Sequence, residues 1–358
     1  MKGHIKYLDG IRGIASLSVV IFHFFHEALG SFVTVFRSRI FYTIFDGHED
    51  VMIFFILSGD ALSISYLRKK IEKTIVYSFI KRYFRLLFVV FVSSFSVYVL
   101  MKLHIDPYRK AQYILDNNSW VGEGLDFRPK FYDFLQYSFG KVFFGDAQNK
   151  YNIFLWTMQY EILGSFLVML LCISTKYMKE PKAYILATSI CLILFQSYVG
   201  LFMFGLFLSM MRSEGFFDGE GDITKNLLLI LCLILLIYIP NFIPSITNKV
   251  DPGYNILKFI SCPLILLVIC QSKMIQDFIS RKFFIFLGKI SFSLYGIHYV
   301  TLKFLFSYSV NEIGPYEYPL ILSAIMCVLI TIYIAYIMSC FESRYINYVN
   351  RAAKLITN

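Results

Sequence analysis

Ten apolar stretches punctuate the chain, at 11–29, 49–67, 84–101, 153–174, 183–198, 200–211, 227–245, 256–271, 288–308 and 319–341. Each approaches the length needed to cross about 30 Å of hydrocarbon at about 1.5 Å per helical residue. The fifth and sixth are the tightest fit: "AYILATSICLILFQSYVGLFMFGLFLSMM" is too long for one upright span and barely long enough for two. The pattern predicts an all-α fold, a polytopic membrane bundle of about ten transmembrane helices. It forms a single domain over 1–358, and no soluble domain remains once the spans are removed.

Composition agrees with the pattern. Hydrophobic residues make up 57% of the chain and charged residues 16%, with a mean hydropathy of +0.62; soluble domains carry roughly 25% charged residues. The net charge of +10 follows the links between spans. With the amino terminus inside, 22 Lys and Arg fall in inward segments against 11 outside, and Lys303 lies within the ninth span. That bias sets orientation in a membrane rather than affinity for nucleic acid, and ten spans leave both termini cytoplasmic. Nine would put Arg344, Arg351 and Lys354 on the wrong side. Lys2 and Lys6 precede the first apolar run as in a signal peptide, but His23 inside that run and the lack of a small-residue cleavage site predict a retained span. The seven cysteines lie in apolar runs without a C-x-x-C pair, so they read as packing residues rather than a disulfide framework, and no metal is required. The longest link, from about Met101 to Asn152, mixes charges and carries Tyr108, Tyr113, Trp120, Phe127 and Tyr132. Those rings suit either stacking on sugars or interfacial anchoring.

Ionisable groups inside lipid are costly, so their placement carries information. Arg12 and His23 are eleven residues apart, which returns to nearly the same helix azimuth about 16 Å further on. Glu161 and His298 fall at about mid-depth in the fourth and ninth spans, and Asp60 lies as deep in the second. His26, one turn beyond His23, reads as an outer-interface residue outside the site. Asp9 serves either to cap the first span or to pair with Arg12 at i, i+3. A cationic cluster, Lys81, Arg82 and Arg85 in "SFIKRYFRLLF", shares the membrane face of Arg12. Positive-inside bias accounts for such a cluster generically, and an anion platform accounts for it as well. The geometry suggests a polar tunnel with a phosphate-binding cytoplasmic mouth and a histidine–carboxylate centre. An imidazole held by a carboxylate is a general base suited to acyl transfer onto an alcohol.

"YLDGIRGIASLSVVIFHF", "FFILSG", "KRYFRL", "LWTMQYE" and "ISFSLYGIH", in this order, resemble the acyltransferase-3 family of integral membrane acyltransferases. Members generally have ten or so helices and O-acetylate bacterial surface polysaccharides with acetyl-CoA as donor. The resemblance implies His23 as catalytic base and Arg12 near the donor. Lys81 and Arg85 fall where the family has two arginines four apart that are thought to contact the donor. Trp156 and Glu161 fill W-[ST]-L-x-x-E, Ser291, Tyr295 and His298 fill S-x-S-L-Y-x-x-H, and Ser58 and Gly59 match the F-F-x-L-S-G turn. The chain departs from the pattern in several places. Lys81 replaces an arginine, Leu87 and Phe88 stand where a proline is common, Met52 replaces an acidic residue, and Asp60 replaces an apolar one. The last two changes read either as an altered acceptor pocket or as drift. The hydrolase-like carboxy-terminal domain of some relatives is not expected.

Together these readings give a bacterial cytoplasmic (inner) membrane O-acyltransferase that moves an acetyl group from cytosolic acetyl-CoA to a surface polysaccharide or lipid-linked glycan. The donor phosphates are expected on Arg12, Lys81, Arg82 and Arg85. The catalytic residues are His23 and Glu161, with His23 held by Glu161 or, through a shared network, by His298. Asp9, Ser58, Asp60, Trp156, Ser291, Tyr295 and His298 support the site. A transporter of polar solutes, a succinyl-CoA donor and a non-glycan acceptor share many of these features, although no inverted repeat is visible.

Overall fold

The computed structural model describes residues 5–69, 72–116, 121–122, 124–145, 150–218, 222–242 and 255–357. Trp120, one of the loop aromatics considered above, lies outside them. No strand occurs among the described residues. Ten principal helices coincide with the ten apolar windows: α1 (Lys6–Ile21), α2 (Gly47–Lys69), α3 (Glu72–Lys102), α4 (Thr157–Ser174), α5 (Pro181–Leu194), α6 (Tyr198–Ser213), α7 (Ile223–Phe242), α8 (Ile256–Gln271), α9 (Lys282–Val300) and α10 (Glu317–Thr357). Six helical segments are long and apolar enough to cross a membrane, or seven if α8 and the short helix after it, bent by 94°, form one span. The sequence suggests ten. The difference arises because α5 and α6 have 14 and 16 residues, short of the roughly 20 a crossing needs, and α2 carries Glu49, Asp50 and Asp60.

Contacts fix the helix directions. Along α1 and α9, Gly13 faces Gly288 and His23 faces His298, so the two run parallel. Helices α2 and α6 also run parallel, with Phe55 on Tyr198 and Gly59 on Phe202. Helices α9 and α10 are antiparallel, with Ser293 bonded to Glu342 and Thr331 to Thr301. Small residues make the closest crossings possible. A Cβ on Gly288 would lie 2.0 Å from the Asp9 carbonyl oxygen, and one on Gly59 would lie 2.0 Å from that of Phe202.

The buried side chains form two cores. One joins the end of α1 to α3, α9 and α10, and the other joins the start of α1 to α2, α5, α6 and α8. Helix α4 contributes Met158 and Ile162 to the first and Val168 and Cys172 to the second. The candidate site lies along this seam. Within the 101–152 link, Lys303 donates to the Val121 carbonyl at 2.7 Å and sits over the Tyr108 ring, while Phe127 packs edge-on against Tyr151. Tyr108 and Phe127 are therefore packing residues, whereas Tyr113 and Tyr132 are exposed.

Asp60 does not join the central polar layer. Arg212, from the end of α6, reaches both of its oxygens at 2.7 Å and also contacts Tyr7 and Cys270. Asp60 and Arg212 are both 2% exposed, so the acid gained at this position ties α2 to α6 instead of reshaping a substrate pocket. Asp60→Ala would strand a buried guanidinium and is expected to cost roughly 3–5 kcal/mol. Thermal unfolding in detergent should show a clear fall in Tm, and adding Arg212→Met should recover most of it.

Candidate active site

Both histidines expected at mid-depth stand beside changes in helix type. Helix α1 passes into a π-helical segment, Phe22–Leu29, and His23 is its second residue. Helix α9 passes into another, Thr301–Phe306, three residues after His298. Such widened turns recur at functional sites.

The two imidazoles meet. His298 Nε2 lies 3.3 Å from His23 Nδ1, which is also 2.9 Å from the Val19 carbonyl oxygen. His298 Nδ1 lies 2.6 Å from the Tyr295 carbonyl oxygen. A carbonyl only accepts, so in the neutral rings both Nδ1 atoms carry the proton. His298 Nε2 then accepts from His23 Nδ1–H, and the lone pair of His23 is on Nε2. Phe154 stacks on both rings, with centroids 3.9 Å from His23 and 4.8 Å from His298. It belongs to a short 3-10 turn, Ile153–Trp156, capped by the Asn152 side chain. Tyr295 donates its hydroxyl to the Phe154 carbonyl and stands 2.9 Å from Thr157 Oγ1.

Glu161 is not part of this pair. Its carboxylate accepts from Ser58 Oγ at 3.1 Å and from Arg82 Nη2, and Arg82 also reaches Ser58 at 2.9 Å. The cation takes the carboxylate, and of the two partners the sequence offers for His23 it is His298 that stands beside it. Arg12 pairs with Asp9 at 3.3 Å and donates to the Leu57 carbonyl at 3.0 Å. Asp9 thus forms the i, i+3 ion pair, and the helix cap position belongs to Ile5, which makes no side-chain cap. Arg85 binds Glu342 at 2.7 Å, and Ser293 donates to the other oxygen of Glu342 at 2.9 Å.

Two cavities result. The first, about 140 Å³, is lined by Arg12, Ser58, Arg82, Arg85, Glu161 and Ser291 among others. The second, about 240 Å³, is lined by Phe22, His23, His48, Phe154, Trp156 and Tyr198 among others. Val51 and Tyr295 line both. Lys81, one helical turn before Arg85, lines neither. His26, expected at the interface, is buried, stacked on Phe22 and bonded to Glu27 at 2.7 Å.

A family model described as an acyltransferase domain matches residues 5–340. The chain belongs to the acyltransferase-3 family. A search of the curated proteins and of the solved structures finds no match. Each of the five stretches that resemble the family contributes residues to this acyltransferase's two cavities.

The sequence reading missed His48, Phe154 and Glu342 at the site, and Arg212, which holds Asp60 away from it. Three had a signal, being ionisable residues at or near the edge of an apolar window. Phe154 had none, since its role rests on the 3-10 turn. In this acyltransferase His298→Ala would remove one of the two acceptors at His23 Nδ1 and leave the ring held through the Val19 carbonyl alone. Acyl transfer is expected to slow by about tenfold to hundredfold, read as initial rates on purified protein at a temperature where the variant is folded.

Proposed function

We propose that this membrane acyltransferase is an O-acetyltransferase of the bacterial inner membrane, with both termini cytoplasmic. It takes acetyl from cytosolic acetyl-CoA and places it on a sugar hydroxyl of a surface polysaccharide or lipid-linked precursor. One observation carries the reading: a cavity rimmed by arginines and a cavity holding an oriented imidazole share a wall at Val51 and Tyr295.

The donor enters on the arginine side. Guanidinium forks suit phosphate oxygens, and Arg85, half-exposed, stands at the mouth with Arg82 and Arg12 inside. A cavity of about 140 Å³ is far below the roughly 300–1,000 Å³ of pockets for drug-sized ligands. It suits the thioester end, with the nucleotide held outside on the arginines. Glu161 is a positioning residue here, holding Arg82 with Ser58. Lys81 adds charge near the mouth without lining it.

The acceptor enters on the histidine side. His23 Nε2 takes the hydroxyl proton as the oxygen attacks the thioester carbonyl carbon. The new C–O bond forms, the C–S bond breaks, and the departing thiolate takes the proton from the imidazolium. His298 and the Val19 carbonyl hold the ring through Nδ1. No acyl-enzyme is needed, because the hydroxyl attacks the donor directly.

His23→Ala at normal protein levels is expected to lower acetylation of the host's surface glycan by about 10²- to 10⁴-fold, read by mass spectrometry; full acetylation would end this mechanism. Arg85→Ala is expected to weaken acetyl-CoA binding about tenfold, the loss of one charge-assisted contact. Calorimetry on protein in nanodiscs measures it, and unchanged affinity would return Arg85 to a topology signal.

A further inference from the structure

A base that takes a hydroxyl proton becomes a cation. When His23 Nε2 accepts that proton its Nδ1 keeps its own, and a full positive charge appears among apolar helices, where an unsupported charge is costly. Glu161, the carboxylate at similar depth, is held by Arg82 and Ser58. The phenyl ring of Phe154 lies on the imidazole instead, with centroids 3.9 Å apart and planes 28° from parallel. His298 stacks on the same phenyl at 4.8 Å and 15°. The two imidazole centroids are 5.1 Å apart, so both rest on one face of the ring. An aromatic face is the negative part of its quadrupole and attracts a cation within about 6 Å of the centroid. This face is held before any charge forms. The Phe154 N–H donates to Asn152 Oδ1 at 3.0 Å, its carbonyl accepts from the Tyr295 hydroxyl, and Tyr299 packs edge-on to its ring at 5.1 Å. Asn152 is itself fixed, donating through Nδ2 to Ser93 Oγ at 2.6 Å and to the Gly296 carbonyl at 3.2 Å. The turn is thereby anchored to α3 and α9.

We propose that Phe154 is a positioning residue of the acyl transfer, acting through His23: its ring face stabilises the imidazolium formed when His23 takes the acceptor's proton. The proposal rests on the general-base reading above and adds to it a residue outside the five stretches that resemble the family. The charge exists only between deprotonation of the hydroxyl and return of the proton to the departing thiolate. An interaction with that charge therefore favours the transition state over the ground state, which is the condition for raising the rate rather than the affinity. The cation can sit on either imidazole of the bonded pair, and both lie over the same phenyl face. No atom, proton or electron passes to Phe154, and its anchored turn means that the face does not have to reorganise as the charge appears.

The test uses the purified full chain in nanodiscs, acetyl-CoA, and unacetylated surface glycan prepared from a deletion strain of the host. Phe154 is replaced by mono-, di-, tri- and pentafluorophenylalanine, which nearly keep the ring's size while draining the negative charge from its face. Acetyl transfer is timed in a single turnover by rapid quench and mass spectrometry, so that product release does not mask the chemical step. The rate constant is expected to fall in step with fluorine number, reaching about tenfold for the pentafluoro ring, with the glycan KM within about twofold of the parent. Phe154→Leu, which fills much of the space without a π face, is expected to slow transfer by about threefold to thirtyfold. A flat fluorine series in a protein whose transfer depends on His23 assigns Phe154 to packing, whatever the Leu variant does, and overturns the proposal while the general-base reading stands. A series that moves the glycan KM at a constant single-turnover rate assigns the ring to acceptor contact in the cavity it lines and also overturns it. A parent protein that acetylates no glycan, or whose His23→Ala variant keeps the full rate, overturns the general-base reading and this proposal together.

Discussion

The approach of α1 to α9 at two glycines sets the register of the whole site. Gly13 lies against Gly288 so closely that a Cβ on Gly13 would sit 2.6 Å from the Gly288 nitrogen. The helices run parallel from that point, and His23 and His298 each follow ten residues later. Equal spacing means equal rise, about 15 Å, and equal rotation, so the backbone contact at one end places the imidazoles side by side at the other. The bond from His23 Nδ1–H to His298 Nε2 then follows from the register, while the Val19 carbonyl at 2.9 Å keeps the proton on Nδ1 and the lone pair on Nε2. A larger residue at either glycine would separate the helices or slide them, and a slide of one residue would turn one imidazole away by about 100°.

A second constraint comes from the low dielectric of the bundle. A carboxylate buried among apolar helices gains from a cationic partner, and four of the buried carboxylates have one. Glu161 takes Arg82, Asp60 takes Arg212, Asp46 takes Lys258 and Glu342 takes Arg85. This pairing separates two features that a depth argument merges. Glu161 and His23 occupy similar depths, but the carboxylate goes to the guanidinium, which offers a full charge and several donors, and the imidazole goes to another imidazole. The ion pairs also tie distant helices: Asp60–Arg212 joins α2 to α6, and Arg85–Glu342 joins α3 to α10. The arginine that rims one cavity is thus held by the longest helix of the bundle.

Much of this was legible in the sequence. Each of the ten apolar windows overlaps a helix among the described residues, and Arg12, Ser58, Arg82, Arg85, Glu161, Ser291 and Tyr295 line one cavity while His23, Trp156 and Tyr295 line the other. Depth was readable because helical rise is constant. Partnership was not, since it depends on side-chain direction and on which helices adjoin. Asp60 illustrates the gap: its depth matched that of Glu161, but its direction is toward α6, where Arg212 waits at a window's end. Lys81 shares the helix face of Arg85 but does not reach the cavity, and reach is not readable from spacing. The π segments after Phe22 and Thr301 left no trace in the apolar pattern, because a widened turn keeps the same residues buried.

The wall between the two cavities is made from the residues that orient the base. Tyr295 faces both cavities, and its hydroxyl is held by the Phe154 carbonyl and Thr157, while the Phe154 ring stacks on His23 and His298. A displacement of Tyr295 that joined the cavities would therefore pull on the turn that packs the imidazoles. Such coupling suits a transferase better than an open pore does. In the reaction proposed above the hydroxyl and the thioester meet at that wall, and keeping the wall shut until the acceptor has filled the histidine side keeps bulk water from the thioester. A conduit for solutes would gain nothing from a fixed tautomer at its narrowest point, whereas a general base requires one.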